Sequence, residues 1–212
     1  MIIKVCGMRD PENIRQLIEA PKPDLMGLIF YPKSSRYVAE LAEDRGFYRS
    51  LDIPKVGVFV NAHIGELVDA VREYGLEYVQ LHGDEDLTYI ASLRVVLPVK
   101  IIKVFRIDTT WEWKYAEPFV NQVDWFLFDT QTPQYGGSGH AFSWDILRSY
   151  PFDQPFLLSG GITESHSEEI KALMGAIPAM HGVDINSRFE LSPGVKDIAM
   201  VKTFMQKLRL TY

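Results

Sequence analysis

The sequence predicts a single α/β domain, one (β/α)8 barrel that spans residues 1–212. Eight short apolar runs recur along the chain, and each is a continuous block, which is typical of parallel strands buried on both faces. Longer amphipathic stretches separate the runs, and the mean period of roughly 26 residues is close to one βα unit of such a barrel. The runs cover residues 2–5, 25–30, 56–60, 78–81, 101–105, 125–128, 155–158 and 181–185.

The stretches between the runs predict a helix after every strand. The clearest helix start is Asp10-Pro11, an N-cap followed by proline at the first helical position. The last stretch places apolar side chains at helical spacing, at Ile198, Val201, Phe204, Met205 and Leu208. A doubly wound open sheet is the alternative because it shares the βα unit, but eight units that end on a helix favour closure. No linker or low-complexity tract marks a second domain.

Composition and charge exclude several classes of protein. The net charge of −6 argues against a nucleic-acid binder, which normally carries a basic stripe. The single cysteine, Cys6, excludes an internal disulfide and a cysteine-clamped zinc site. The first residues do not form an export signal, and no apolar run approaches the ~20 residues that cross a bilayer. We therefore expect a cytoplasmic protein.

In a barrel, the residues that follow the strands form the active site. Cys6 follows the first run and is either a small buried hydrophobic residue or a general base. The second role needs a cationic or dipolar setting that lowers the pKa of the thiol. Asp129 follows the sixth run, roughly across the barrel, and is either a cap or loop hydrogen-bonding residue or a general acid. The other polar candidates after the runs are residues 31–36, Asn61, His82-Gly83, Arg106, Ser159-Gly160-Gly161 and residues 184–187.

The two last loops predict a phosphate site. Gly160-Gly161 exposes backbone N–H groups at a helix start, and Asn186 and Ser187 add donors after the eighth run. Barrel enzymes commonly hold phosphate between these two loops, although a glycine pair on its own is more often a plain turn. Arg36, in the loop after the second run, is either solvated or uses its planar fork to bind a carboxylate.

Two further features bear on the site. The loop of residues 132–140 contains Gly136-Gly137-Ser138-Gly139 and is predicted to be either a flexible lid or a plain surface loop. The five histidines show none of the paired spacings of metal ligands. We therefore expect no metal ion.

Nine short segments carry a family resemblance. They are residues 4–8 (KVCGM), 29–38 (IFYPKSSRYV), 58–61 (VFVN), 79–85 (VQLHGDE), 128–129 (FD), 136–139 (GGSG), 142–144 (FSW), 159–161 (SGG) and 183–187 (VDINS). Together and in this order they resemble the phosphoribosylanthranilate isomerase family. Histidine-pathway isomerases, which are similar barrels, carry an aspartate where this chain has Cys6.

The resemblance implies a (β/α)8 barrel of tryptophan biosynthesis. Its reaction converts N-(5-phosphoribosyl)anthranilate to 1-(2-carboxyphenylamino)-1-deoxyribulose 5-phosphate by an Amadori rearrangement, without a cofactor. It implies that Cys6 is the general base, Asp129 the general acid and Arg36 the ligand of the anthranilate carboxylate. The phosphate ligands that it implies are Gly160, Gly161, Asn186 and Ser187. We expect a monomer or homodimer that binds a small phosphorylated substrate, with no nucleic-acid or membrane partner.

One departure and two rival functions remain. Arg188 stands where the family commonly has glycine, and it would either resist a positive φ or add a charged contact to the phosphate. A different phosphosugar enzyme, such as an epimerase, would share the fold but need other acid-base residues. A barrel that only binds phosphosugars would not need Cys6 or Asp129.

Overall fold

The computed structural model describes residues 1–40, 45–130 and 144–210. Eight parallel strands form a closed barrel, in which each strand pairs with its neighbours in the chain and the eighth pairs with the first. The strands are β1 (Ile2–Val5), β2 (Leu25–Ile29), β3 (Lys55–Phe59), β4 (Tyr78–Leu81), β5 (Lys100–Ile107), β6 (Trp125–Thr130), β7 (Phe156–Ser159) and β8 (Met180–Ile185). The predicted barrel is confirmed, and the open-sheet alternative is wrong.

The apolar runs located the strands closely. β1 and β4 have the predicted bounds, and the other strands differ from their runs by one or two residues at one or both ends. The reason is that both faces of these strands are covered: all five residues of β3, for example, are buried. Continuous burial removes the polar alternation that would otherwise mark a solvent-facing side.

Apolar side chains fill the N-terminal half of the barrel interior. Trp125 packs over Tyr78 at this end, with ring centroids 5.9 Å apart. The interior cluster consists of Leu25, Val56, Tyr78, Ile102, Val104, Leu127 and Leu157. Because this half of the interior is packed, room for a ligand lies at the C-terminal ends of the strands.

Six α-helices cover the outside of the barrel in the described residues. They are α1 (Pro11–Glu19), α2 (Arg45–Ser50), α3 (Ile64–Tyr74), α4 (Leu87–Val96), α5 (Ser167–Ala176) and α6 (Ile198–Arg209). α1 begins as predicted, since the Asp10 side chain accepts a hydrogen bond from the backbone N–H of Asn13 at 2.7 Å. The buried face of α6 comprises Val201, Phe204, Met205 and Leu208. No helix within the described ranges is long and apolar enough to cross a membrane.

The prediction of a helix after every strand is wrong for β5 and β6 in the described part of the chain. The segments found there instead are short 3₁₀ helices, Trp113–Tyr115, Glu117–Phe119 and Trp144–Ser149. Aromatic rings cover the barrel at this point. Trp111 packs on Phe105 with centroids 5.6 Å apart, and Trp113 packs on Phe128 at 5.4 Å. Large rings have lower helix propensity than straight-chain residues and here occupy the place of a helix.

After β8, the chain forms a small antiparallel hairpin. Its strands are β9 (Glu190–Ser192) and β10 (Val195–Lys196). Asn13 of α1 ties this hairpin down, because its side chain donates to Lys196 O at 2.9 Å and accepts from Lys196 N at 2.7 Å. The hairpin therefore has a fixed position beside the mouth of the barrel.

Candidate active site

A cavity of about 220 Å³ opens at the C-terminal end of the barrel. This is the end at which barrel enzymes bind their substrates. Six of the seven site residues predicted from the sequence line it: Cys6, Asp129, Gly160, Gly161, Asn186 and Ser187. Further side chains in its wall are Gln80, His82, Asp184 and Arg188.

Cys6 lies one residue beyond β1 and is 4% exposed. Its backbone N–H donates to Ile185 O at 2.9 Å, which extends the pairing of β1 with β8 by one residue. The thiol has room because its neighbour on β2 is a glycine: a Cβ at Gly27 would lie 2.7 Å from Cys6 Sγ. Gly27 therefore belongs to the site although the sequence analysis missed it. A glycine inside an apolar strand is the signal that marks such a close approach.

Asp129 lies on β6, which β7 and β8 separate from β1, and it lines the same cavity as Cys6. Its Oδ2 is 3.5 Å from Nε2 of His82, and about a quarter of each side chain is exposed. The register of β6 with β7 places Asp129 beside Ser159, at the start of the predicted phosphate loop. The carboxylate thus has a possible hydrogen-bond donor beside it and remains open to the cavity.

Polar side chains lie among the apolar strands below the cavity. Lys4 is fully buried, and its ammonium donates to Oδ2 of Asp184 at 2.9 Å. The register of the strands brings the two together, because Lys4 lies opposite Asp184. Oδ1 of Asp184 and Oε1 of Gln80 are buried and have no hydrogen-bond partner among the described residues. An unpaired buried acceptor is costly, so these two oxygens mark a place for hydroxyl donors of a ligand.

The sequence analysis missed Lys4 and Gln80 as site residues. Each is a polar residue inside an otherwise apolar strand, and that pattern is the signal that could have located them. A strand interior tolerates such a side chain only where it finds a partner or reaches a cavity.

The charges at the base of the cavity act on one another. Burial raises the pKa of the Cys6 thiol, and the positive charge of Lys4 opposes this effect. Burial also raises the pKa of Asp184, again opposed by Lys4. Burial alone would lower the pKa of Lys4, but Asp184 and Cys6 outweigh it and the pKa is raised. Lys4 is therefore a cation that acts on both acidic groups, through its ion pair with Asp184 and through its charge at Cys6.

The loop after β7 is a shaped turn at the cavity wall. Gly160 and Gly161 have φ values of +94° and +63°, which disfavour other residues. A Cβ at Gly160 would lie 2.2 Å from Thr130 O, so the loop presses closely on β6. The Thr130 hydroxyl donates to Ser159 O at 3.0 Å, and Trp144 Nε1 donates to that hydroxyl at 3.3 Å. These contacts fix the glycine pair in place.

The loop after β8 forms the adjoining wall. Oδ1 of Asn186 accepts a hydrogen bond from Lys196 Nζ at 2.8 Å, and Ser187–Phe189 is a short 3₁₀ helix. Arg188 does not have a positive φ, so the loss of the family's glycine causes no backbone strain here. The Arg188 side chain lines the cavity instead.

Arg36 lies beside the cavity, with its guanidinium bound to Glu190 of β9. Nε is 2.9 Å from Oε1 and Nη2 is 2.6 Å from Oε2. The hydrogen bond to Glu190 raises the pKa of Arg36. A Cβ at Gly7 would lie 2.8 Å from Arg36 Cδ, so Arg36 packs against the residue that follows Cys6. The predicted solvated alternative does not describe Arg36, whose side chain is 21% exposed.

Glu190 also binds a second cation. Lys196 Nζ donates to Glu190 Oε1 at 2.6 Å, and both side chains are almost completely buried. Burial disfavours the charged form of Glu190, but hydrogen bonds from Arg36 and Lys196 outweigh it and lower its pKa. The sequence analysis assigned no role to either Glu190 or Lys196.

The model of the N-(5'phosphoribosyl)anthranilate (PRA) isomerase family matches residues 3–207. The chain belongs to this family. An N-(5'-phosphoribosyl)anthranilate isomerase of Parabacteroides distasonis is 42% identical over 210 residues, which cover 98% of this chain and 93% of the relative. The crystal structure of phosphoribosyl anthranilate isomerase from Thermotoga maritima is 30% identical with a TM-score of 0.79, covering 99% of each chain. A PRA isomerase in complex with reduced 1-(o-carboxyphenylamino)-1-deoxyribulose 5-phosphate is 27% identical with a TM-score of 0.77, covering 99% of each chain.

Membership of the PRA isomerase family confirms the predicted family, the isomerase class and the barrel. The roles of individual residues and the absence of a metal or cofactor stay predictions. In the described ranges, no group of three or more His, Cys, Asp or Glu side chains is placed to hold a metal ion. The predicted lid, residues 132–140, lies outside the described residues.

Proposed function

We propose that this protein converts N-(5-phosphoribosyl)anthranilate to 1-(2-carboxyphenylamino)-1-deoxyribulose 5-phosphate by an Amadori rearrangement in tryptophan biosynthesis. One observation carries the proposal: in a PRA isomerase barrel, a single cavity joins a thiol after β1, a carboxylate on β6 and the shaped glycine loop after β7. A thiol and a carboxylate on opposite walls can act as base and acid on one small substrate.

Asp129 is the general acid in this proposal. It donates its proton to the ribose ring oxygen, and the bond between that oxygen and C1 breaks to give a protonated imine. His82 supports this role, since its Nε2 lies 3.5 Å from the Asp129 carboxylate and can stabilise the anion that the proton leaves behind. About a quarter of the Asp129 side chain is exposed, which gives the ring oxygen access to the proton.

Cys6 is the general base. Its thiolate removes the proton from C2, and the cationic nitrogen accepts the electron pair, so that an enolamine forms. The Cys6 thiol then gives its proton to C1, and the Asp129 carboxylate accepts the proton on O2, which gives the ketone and restores both catalytic groups. Because the imine nitrogen serves as the electron sink, the reaction needs neither a metal ion nor a cofactor. Burial of Cys6 makes its thiolate a stronger base than a solvated one.

The remaining wall binds the polar parts of the substrate. Gly160, Gly161, Asn186 and Ser187 hold the phosphate, and the Arg188 guanidinium adds a charged contact. Oδ1 of Asp184 and Oε1 of Gln80 accept hydrogen bonds from the ribose hydroxyl groups, which supplies the partners that they lack. The ligand in the PRA isomerase complex carries both a phosphate and sugar hydroxyls, as these contacts require.

Arg36 binds the anthranilate carboxylate. Its pair with Glu190 uses Nε and Nη2 and does not use Nη1, so one edge of the guanidinium can face a second carboxylate. Arg36 and Lys196 contribute two positive charges and Glu190 one negative charge, which leaves a net +1 toward an incoming anion. This excess positive charge favours a carboxylate over an uncharged ring substituent at the same position.

We also propose that the protein acts in the cytoplasm as a monomer or a homodimer. The substrate is a small phosphorylated metabolite, and the description of the family names such a molecule. Size-exclusion chromatography with light scattering distinguishes the two assemblies, and cell fractionation tests the compartment.

A fluorescence assay with N-(5-phosphoribosyl)anthranilate tests the proposed function. The aromatic amine is the fluorophore, so we expect the emission to change as the purified protein consumes the substrate, and chromatography should identify the ketose product. Dialysis against EDTA should leave the rate unchanged. A folded protein without turnover would overturn the proposal. A chelator-sensitive activity that a divalent ion restores would contradict the metal-free mechanism.

A further inference from the structure

Lys4 is a buried charge to which the proposed mechanism assigns no task. Its side chain has no exposed surface, and among the described residues its one ion pair joins Nζ to Asp184 Oδ2 at 2.9 Å. Removing two charges from water is costly, and replacing such a pair by apolar side chains often leaves stability unchanged or raises it. The barrel interior is apolar directly below, so folding alone does not require a lysine here.

The geometry of β1 joins Lys4 to Cys6. Side chains two residues apart on a strand point to the same face. Cys6 N continues the pairing with β8 through Ile185 O, so the alternation still holds at residue 6. Lys4 and Cys6 therefore share one face of β1, and the Lys4 ammonium is held there by its ion pair with Asp184 Oδ2 at 2.9 Å. Its positive charge favours the thiolate of Cys6. The backbone of β1 and the ion pair with Asp184 thus hold the ammonium on the side of β1 that carries the sulfur.

We propose that Lys4, anchored by Asp184, is the positioning residue that stabilises the thiolate of Cys6. This inference rests on the proposed role of Cys6 as the general base, because the sulfur can accept a proton only as the thiolate. A thiolate in this buried place needs a positive charge beside it, and a hydrogen bond from an ammonium is among the strongest that a side chain can give. Lys4 acts on the reaction through the sulfur and does not need to touch the substrate.

The other charged groups around Cys6 come from several elements. Asp184 of β8 opposes the thiolate, and its effect is smaller than that of Lys4. Lys196 of β10 favours the thiolate more weakly and is already paired with Glu190. Arg36, after β2, is likewise a cation near Cys6 that is paired with Glu190.

Charged and titratable groups also lie around Asp129, the proposed general acid. Asp129 and His82 face Asp184 across the cavity, with opposite effects on it. Lys4 is thus the group with the largest favourable effect on the Cys6 thiolate among those that surround it. Its removal should make the thiolate harder to form even though the other cations remain.

Alkylation of Cys6 measures this directly, because Cys6 is the only cysteine in the chain. The rate of reaction with iodoacetamide, followed by mass spectrometry on the intact protein as a function of pH, reports the thiolate fraction. We expect Lys4→Met to move the midpoint upward by about one pH unit or more, which slows alkylation about tenfold at a fixed pH below the midpoint. The kcat/KM of Lys4→Met should fall, and the limb of its pH profile that reports Cys6 should move by the same interval.

Two further variants keep the test decisive. If Lys4→Met does not fold, the double variant Lys4→Met/Asp184→Asn removes both charges and leaves no lone buried carboxylate. The midpoint of its alkylation profile should still lie above that of the wild type, because the effect of Lys4 exceeds that of Asp184.

The matched control is Lys103→Met, which removes another buried lysine paired with a carboxylate, Glu85, at 3.1 Å. Its midpoint should equal that of the wild type.

The outcomes separate this inference from the proposed function. A folded Lys4 variant with the wild-type alkylation midpoint would overturn the inference. A midpoint that moves in Lys4→Met and not in Lys103→Met supports it. If the alkylation midpoint moves while the kcat/KM profile does not, Lys4 does stabilise the thiolate, and the role of Cys6 as the base is refuted.

Discussion

Arg36 and Glu190 form a two-pronged ion pair at the mouth of the barrel, with Nε 2.9 Å from Oε1 and Nη2 2.6 Å from Oε2. The two residues are 154 positions apart in the chain. The pair fixes the plane of the guanidinium before any substrate arrives. A preoriented fork loses less conformational entropy when it binds a second carboxylate.

We expect Arg36→Met to weaken substrate binding by about 1.5–3 kcal/mol, the range for hydrogen bonds to charged groups. The effect on kcat should be smaller, because the carboxylate carries the same charge in the ground and transition states. Arg36→Lys should restore only part of the loss, since an ammonium lacks the fork. Steady-state kinetics measure both values.

Two controls define what Arg36 recognises. Arg94→Met breaks another arginine–carboxylate pair, in which Arg94 lies 2.8 Å from Asp124. Asp124 precedes the N-terminal end of β6, away from the cavity, so this variant should leave KM unchanged. A phosphoribosyl amine without the aromatic carboxylate should be handled almost equally by the wild type and Arg36→Met. If Arg36→Met impairs both substrates by the same factor, Arg36 acts on the phosphate or on the loop, and its assignment to the carboxylate is wrong.

A methyl group at position 27 should displace the thiol of Cys6. The Cβ of Gly27→Ala would lie 2.7 Å from Cys6 Sγ, so one of them must move, at a cost of about 1–3 kcal/mol. We expect kcat to fall more than KM rises. Gly175→Ala on α5 is the matched control, because nothing lies within 4 Å of its added Cβ and helical alanine is favoured over glycine. An unchanged kcat in a folded Gly27→Ala protein would show that the position of the thiol does not limit the reaction.

The environment of Cys6 predicts a specific pH dependence. Burial raises the pKa of the thiol, so the folded protein forms the thiolate only at a higher pH than the unfolded chain does. Alkylation by iodoacetamide should therefore reach half of its maximal rate at a higher pH in buffer than in urea. Equal midpoints, or a lower midpoint in the folded protein, would contradict the desolvation that the structure assigns to Cys6.

Asp129→Asn keeps the size of the side chain but cannot deliver a carboxylic proton. Ring opening should slow, with a loss in kcat of about 10²–10⁴-fold, the usual contribution of a general acid. KM should change little, because the proposed anchors for the phosphate and carboxylate lie on other residues. Asp124→Asn, at the other end of β6, is the control and should lower stability without lowering kcat. Normal turnover with collapsed affinity would make Asp129 a binding residue.

The position of the site was predictable because few physical rules determine it. Strands buried on both faces produce continuous apolar blocks, and a barrel collects the residues after those blocks at one end. Cys6 and Asp129 follow the first and sixth blocks, and both line the same cavity. Resemblance to the family supplied what the pattern could not, namely which reaction the residues carry out.

Partners that lie far apart in sequence could not be predicted in this way. The choice of Glu190 as the partner of Arg36 depends on the position of the hairpin after β8, which local pattern does not determine. Lys4 was hidden because a single lysine in an apolar run does not disclose which strand will lie opposite it. In the part of the chain that the structure describes, 3₁₀ helices replace the predicted α-helices after β5 and β6. Tertiary packing of tryptophan rings at this point overrides the repeating βα pattern.

Cys6→Ser tests the central proposal most directly. A hydroxyl is a poor base near neutral pH, and serine keeps the shape of the side chain beside Gly27. We expect a folded protein whose kcat for N-(5-phosphoribosyl)anthranilate, followed by fluorescence, falls by about 10²–10⁴-fold while KM changes little. A Cys6→Ser protein that retains most of the wild-type kcat would contradict the assignment of Cys6 as the base, and with it the proposed mechanism.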